Sequence, residues 1–261
     1  MDSTVSRIFS KDKLAEFSKD FMGLAMEALE EGDIEKAKHW IRRQDQTKDM
    51  LHDLYLHWVT ALLDRIYRRW GEDEAVESLR ETVRQWVVPF ARLKAQLLEK
   101  GGVAAYMEFL IDALRQHSMY PNLTVEEDDE KFILTMQPCG SGGRLIDSGA
   151  YEGPLGYAKL KKPGAHTWGE TDLPIYCAHC PWAQEIFPVS EVGEGMQLWI
   201  HASPFPKKPG DPCVQYVYKD PKHVPDRFYE RIGASRIPRQ LPLTYGIDPE
   251  KDAAAKKPGR K

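Results

Sequence analysis

The chain has 261 residues, 42% of them hydrophobic and 29% charged, with a formal net charge of -4. This balance fits a soluble globular protein, and no apolar run approaches the roughly 20 residues that span a bilayer. The N-terminal Met1-Asp-Ser-Thr-Val-Ser-Arg-Ile-Phe9 carries no apolar signal core, so a cytoplasmic location is expected. The tail from Lys251 is basic, which leaves the remainder more acidic than the total. An acidic body argues against nucleic acid as a partner, and nothing points to a membrane.

The first part of the chain reads as helix. Residues from Lys11 to Glu31 carry apolar side chains near helical spacing, and Gly32-Asp33 supplies a stop and a new cap. A long helix is expected from Asp33 to Trp70, with a break near Asp45-Gln46-Thr47, and a third from Glu72 to Glu99, kinked at Pro89. Gly101-Gly102 should end it before a fourth helix, Val103 to His117. Short connections between such helices imply an antiparallel bundle, with an amphipathic surface that would also suit a homo-oligomer.

The character changes at Tyr120-Pro121. Thr124–Glu127 and Lys131–Met136 flank an acidic turn and read as a hairpin. Glycine- and proline-rich sequence follows, then a short helix from Trp182 to Phe187 behind Pro181. Two strands are expected at Met196–His201 and Cys213–Lys219, and a last short helix at Asp226–Ile232. The expected fold class is therefore α+β. An α-helical bundle domain (1–120) precedes a small mixed α/β metal-binding domain with antiparallel strands (121–247) and a disordered basic tail (248–261).

All four cysteines, Cys139, Cys177, Cys180 and Cys213, lie in the second half. Cys177 and Cys180 form a CxxC, a turn that can offer two thiolates to one ion. If the last two strands pair, His201 and Cys213 become neighbours at the open end of the hairpin, and Cys139 ends a strand that could join the same sheet. The candidate ligands are thus Cys139, Cys177, Cys180 and Cys213, with His201 or His179 as replacement or outer partner. Zinc suits such a set, and an iron–sulfur cluster suits the thiolates alone. Four reduced core cysteines are the plain alternative.

Cys139-Gly140-Ser141-Gly142-Gly143-Arg144 is a glycine-rich turn whose N–H groups could converge on an anion, with Arg144 as a carboxylate fork. His57 on the long helix is a candidate general base. Trp168, Trp182, Trp199, Tyr176, Tyr216 and Tyr218 surround the cysteine segments and could form an aromatic pocket.

The stretch Tyr176-Cys-Ala-His-Cys-Pro-Trp-Ala-Gln-Glu-Ile-Phe187, then Gly193 and Gly210-Asp-Pro-Cys-Val-Gln-Tyr-Val-Tyr218, resembles the C-terminal signature of the L-2-amino-thiazoline-4-carboxylic acid hydrolase-like proteins. Cys180-Pro181 and Cys213 are the positions that map. The resemblance implies a hydrolase of small ring or amide-like C–N or C–S bonds. The functional expectation is a zinc-dependent hydrolase of a small carboxylated metabolite. Metal-bound water would be the nucleophile, and His201 or His57 would move protons. Arg144 with Gly140, Gly142 and Gly143 would hold the substrate anion. A structural-zinc interaction module and an iron–sulfur protein are the alternatives.

Overall fold

The computed structural model describes residues 8–117, 122–154, 156–202 and 205–235. The chain is α+β, with long helices in its first part and a small antiparallel sheet in its C-terminal half. It divides into two compact units between Leu54 and Tyr55. The expected basic tail lies outside the described residues.

The first unit holds α1 (Lys11–Phe17), α2 (Phe21–Glu30) and the beginning of α3 (Ile34–Trp70). The expected single helix over Lys11–Glu31 is two. Asp20 interrupts it because its carboxylate accepts the Gly23 N–H at 2.6 Å and caps a new helix. Gly32, at φ 76°, ends α2, and Asp33 caps α3 through the Lys36 N–H at 2.9 Å, as the sequence leads one to expect. Small residues make the contact here: Ala25, Ala28 and Ala37 are all buried, and the Phe21 and Trp40 rings stack at 5.9 Å. The break expected near Asp45 is absent, and α3 continues unbroken to Trp70. Asp45 instead pairs with Lys48 one turn on, an arrangement that supports a helix.

The second unit is built on α4 (Glu72–Arg115), two helical stretches joined across a kink at Gly102, where the expected break falls. The chain stays helical through Pro89. It departs only at Gly102, where φ 67° and ψ -164° require glycine. On either side of this kink α4 covers the sheet: Leu98, Tyr106, Leu110 and Leu114 share one core with Leu134, Met136, Leu198 and Val217. The earlier turns, Leu79, Val83 and Val87, pack with Leu145, Ile175 and Phe187 in a second core. The helix from Glu72 therefore shares its hydrophobic core with the sheet.

The sheet has the order β1-β2-β6-β5, with every pair antiparallel. β1 (Leu123–Glu127) and β2 (Lys131–Met136) form the expected hairpin around Asp128, whose carboxylate accepts the Glu130 and Lys131 N–H groups. β5 (Trp199–His201) and β6 (Cys213–Tyr218) pair as expected, with His201 opposite Gln215. Between β2 and β5 lie α5 (Gly142–Asp147), a two-stranded pair β3 (Lys159–Leu160) and β4 (Leu173–Pro174), a π-helical turn at Pro181–Ile186 and α6 (Phe187–Glu191). α7 (Asp226–Glu230) follows β6, and Gly233 at φ 72° lies beyond it. Among the described residues no helix is long and apolar enough to cross a membrane.

Candidate functional site

Strand register brings the first two cysteines together. Met136, the last residue of β2, lies opposite Cys213, the first of β6. The chain leaves β2 through Gln137-Pro138, so Cys139 arrives beside Cys213, and the Cys213 thiol hydrogen-bonds its sulfur. Directly opposed residues project to one face of a sheet, and alternate residues of a strand share that face. Cys213, Gln215, Trp199 and His201 therefore point the same way, towards α4.

Those side chains form one wall of a cavity of about 420 Å³ within the second unit. α4 supplies Trp86, Phe90 and Lys94. The turn into α5 supplies Cys139, Ser141, Gly142 and Gly143. The segment leading into the π-helical turn supplies Cys177, His179, Cys180 and Gln184. All four cysteines, with His179 and His201, thus face one space. The volume is that of a small-molecule site, and most of the lining is apolar or aromatic.

The environments of the four sulfurs differ. Cys139 is held at the start of α5, where its Sγ accepts the Ser141 N–H at 3.5 Å and the N–H groups of Gly142 and Gly143. The Cys213 hydrogen bond and these three donors outweigh burial, and they pull Cys139 down to about 6. Burial pushes Cys177 and Cys180 up. Cys213 is also pushed up, first because it is the donor to Cys139 and then by burial. Of the four, Cys139 is the sulfur drawn towards its anionic form, and the other three are held towards the thiol.

A chain of hydrogen bonds orders this corner. The Trp199 indole N–H donates to Gln215 Oε1 at 2.7 Å, which leaves Gln215 Nε2 to donate to Cys213 Sγ at 3.6 Å. His201 Nε2 lies 3.3 Å from the same sulfur, and its ring packs on Trp168 at 4.4 Å. The backbone of His201 is anchored by Glu185, whose carboxylate accepts its N–H at 3.1 Å, and by Arg231, which donates to its carbonyl at 2.9 Å. Glu185 comes from the π-helical turn, a distortion common at functional sites. His179 donates through Nδ1 to the Tyr176 carbonyl at 2.6 Å, and burial lowers it to about 4. It is therefore a neutral imidazole whose Nε2 lies 3.5 Å from Cys180 Sγ.

Gly142 is required by close approach. A Cβ there would lie 2.5 Å from the Cys177 sulfur, so the α5 turn and the CxxC segment touch at this point. Gly142→Ala should force them apart and cost about 1–3 kcal/mol. A thermal melt indistinguishable from that of the parent protein would contradict this contact.

Several expected residues lie elsewhere. Gly140 and Arg144 do not line the cavity: Arg144 sits inside α5, and its backbone N–H bonds the Cys139 carbonyl at 3.1 Å. His57 is exposed on α3, with Nδ1 3.1 Å from the Tyr157 hydroxyl, and it does not reach the cavity. Of the expected aromatic group, Trp168 and Trp199 line the space, while Trp182, Tyr176, Tyr216 and Tyr218 do not. Four thiols and two imidazoles are donor types that suit a soft metal or zinc. Among the described residues, however, no three His, Cys, Asp or Glu side chains converge as a ligand set.

Lys94, Gln215 and Glu185 escaped sequence reasoning. For Lys94 a signal was present. Val87, Ala91, Lys94 and Leu98 follow the helical repeat of a buried face, and a lysine in that stripe is out of place unless it serves a site.

Comparison of the chain with protein-family models, curated proteins and solved structures finds no match. The fold and the site together define an α+β protein with a cysteine-lined cavity.

Proposed function

We propose that the protein is a hydrolase of small amide-like or ring C–N or C–S bonds, with Cys139 as its nucleophile. The observation that carries this reading is the setting of Cys139. Its sulfur accepts three backbone N–H groups and the Cys213 thiol, at the wall of a cavity sized for a small molecule. An anionic sulfur held this way is the reactive form of cysteine. Reaction class follows from the nucleophile, and the hydrolytic outcome from the resemblance in the Tyr176–Phe187 and Gly210–Tyr218 segments.

In this reading the thiolate adds to the electrophilic carbon and a C–S bond forms. The C–N bond breaks, and the leaving nitrogen takes one proton from the His201–Cys213 chain. Water then displaces the sulfur, returning one proton to that chain and releasing the acid product and the thiolate. His201 keeps the proton-moving role expected of it, at one remove from Cys139 through the 3.3 Å contact with Cys213.

Iodoacetamide at neutral pH provides the test. One label per chain at Cys139, with the other three cysteines slow, is expected, and Cys139→Ser should abolish the fast phase. Equal labelling of all four sulfurs, or fastest labelling of another, would remove Cys139 from this role.

A metal-bound form is the second reading, favoured by the four cysteines, His179 and His201 facing one cavity. The donor types fit zinc, and the Nδ1 bond of His179 to a carbonyl is the outer contact that leaves Nε2 free for a metal. Cys139, Cys177, Cys180 and Cys213, with His201, would hold the ion, which would supply a polarised water or a purely structural tie. Thiolates alone would suit an iron–sulfur cluster. Elemental analysis of protein purified without chelator separates the readings: about one zinc per chain supports the metal form. Metal-poor protein with fully reactive Cys139 supports the nucleophile.

A further inference from the structure

We infer that Lys94 makes the cavity a carboxylate site, so that the substrate is a small flat anion whose charge rests on Lys94 while its reactive carbon meets Cys139. The inference rests on the reading of Cys139 as nucleophile and adds the substrate class to it.

Lys94 is only 8% exposed, on the buried face of α4, and it is one of the residues lining the cavity. Its ammonium sits 4.5 Å over the Trp199 ring, which softens the burial of a cation without neutralising it. Among the described residues it has no carboxylate partner, and burial alone accounts for its fall to about 8. A buried lysine without a carboxylate partner costs stability, and an anionic ligand would offset that cost. Neither Asp nor Glu lines the cavity among the described residues, so Lys94 is its only cationic side chain apart from any protonated histidine. Apart from the Cys139 sulfur, which would meet the reactive carbon, the described lining holds no negative side chain to repel an anion at Lys94. Trp86, Phe90, Trp168 and Trp199 around it favour a flat body attached to that charge. Two further wall residues carry buried polar atoms with no partner among the described residues, Trp168 Nε1 and Gln184 Oε1, as expected where a ligand completes the hydrogen bonding. The anion-holding role expected of Arg144 falls to a lysine 50 positions earlier in the chain.

Iodoacetate and iodoacetamide deliver the same carbon to the same sulfur with and without a carboxylate, and each loses iodide as the C–S bond forms. Their rates at Cys139 are compared at low ionic strength in the parent protein, Lys94→Met and Lys94→Arg. The iodoacetate-to-iodoacetamide ratio should fall roughly tenfold in Lys94→Met and be largely retained in Lys94→Arg. Any general change in Cys139 reactivity affects both reagents and cancels in the ratio. An unchanged ratio in Lys94→Met overturns the inference.

A titration with benzoate, followed by tryptophan fluorescence, needs no reactive cysteine. Saturable binding that weakens about tenfold in Lys94→Met, with benzamide indifferent to the substitution, supports the site. Equal benzoate affinity in the two proteins overturns it. Should Cys139 ignore both alkylating reagents, the nucleophile reading fails by itself, and the benzoate titration alone decides the role of Lys94.

Discussion

Cys213→Ala should slow alkylation of Cys139 at neutral pH by roughly thirtyfold if the thiol returns to its free value near 8.5. The argument is one of thiolate fraction. With Cys139 at about 6, most of the sulfur is ionised at pH 7. The hydrogen bond from Cys213 is the largest contributor to that value, ahead of the three backbone donors. Its loss leaves burial opposed only by the N–H groups, and the pKa climbs. The sign fixes the pH profile. In the parent protein the rate should rise with a midpoint near 6 and be flat by pH 8. In Cys213→Ala the midpoint moves up, and the two curves converge above about pH 10, where both thiols are ionised. Cys213→Ser keeps a hydroxyl donor and should recover most of the rate. Superimposable profiles for the parent protein and Cys213→Ala would mean that the backbone donors suffice and that the His201–Cys213 chain does not reach the nucleophile.

Glu185→Ala should cost about 3–5 kcal/mol of folding stability, the scale of breaking a buried ion pair from one side. Glu185 is fully buried and holds three elements together. Its carboxylate accepts from both Arg231 Nε, at 3.2 Å, and Arg231 Nη2, from Gln197 Nε2 at 3.1 Å, and from the His201 N–H at 3.1 Å. Arg231 in turn lies against Trp168 and donates to the His201 carbonyl. Removing the carboxylate strands a guanidinium and two N–H donors in the interior, which costs more than the pair contributes when intact. Burial raises the Glu185 pKa and Arg231 works against it, so the carboxyl stays poised to protonate in acid. Urea unfolding followed by circular dichroism measures the loss. A midpoint within error of the parent protein would show that the network is slack. Because Glu185 also anchors the backbone of His201, variants that remain folded should label more slowly at Cys139.

Much of the α+β organisation was legible in local pattern. The β1–β2 hairpin follows from alternating residues around Asp128-Asp129-Glu130, and the β5–β6 pair from two short runs rich in aromatic and β-branched residues. Pairing those strands makes His201 and Cys213 neighbours, because antiparallel register turns a distance of 12 positions into a contact. Local chemistry also misled. Asp45-Gln46-Thr47 resembles a break, but α3 runs through it, with Asp45 paired to Lys48 one turn on. Lys11–Glu31 resembles one helix until the Asp20 side chain captures a backbone N–H.

By itself, the sequence singled out part of what the site contains: the four cysteines, His179 and His201, a glycine turn, and strands short enough to carry them. It also determined that the first part is helical, because apolar spacing is a property of neighbours a few residues apart, though not where each helix starts and stops. Tertiary structure alone decided which of these groups matter together. It gave Cys139 its donors and left Arg144 inside α5. It kept His57 outside the cavity, and it placed Lys94 of α4 over Trp199 of β5. The physical reason is range. Helix periodicity and strand alternation are read within one segment, whereas the charge state of a buried sulfur or ammonium depends on what distant segments bring within a few ångströms and on the water they exclude.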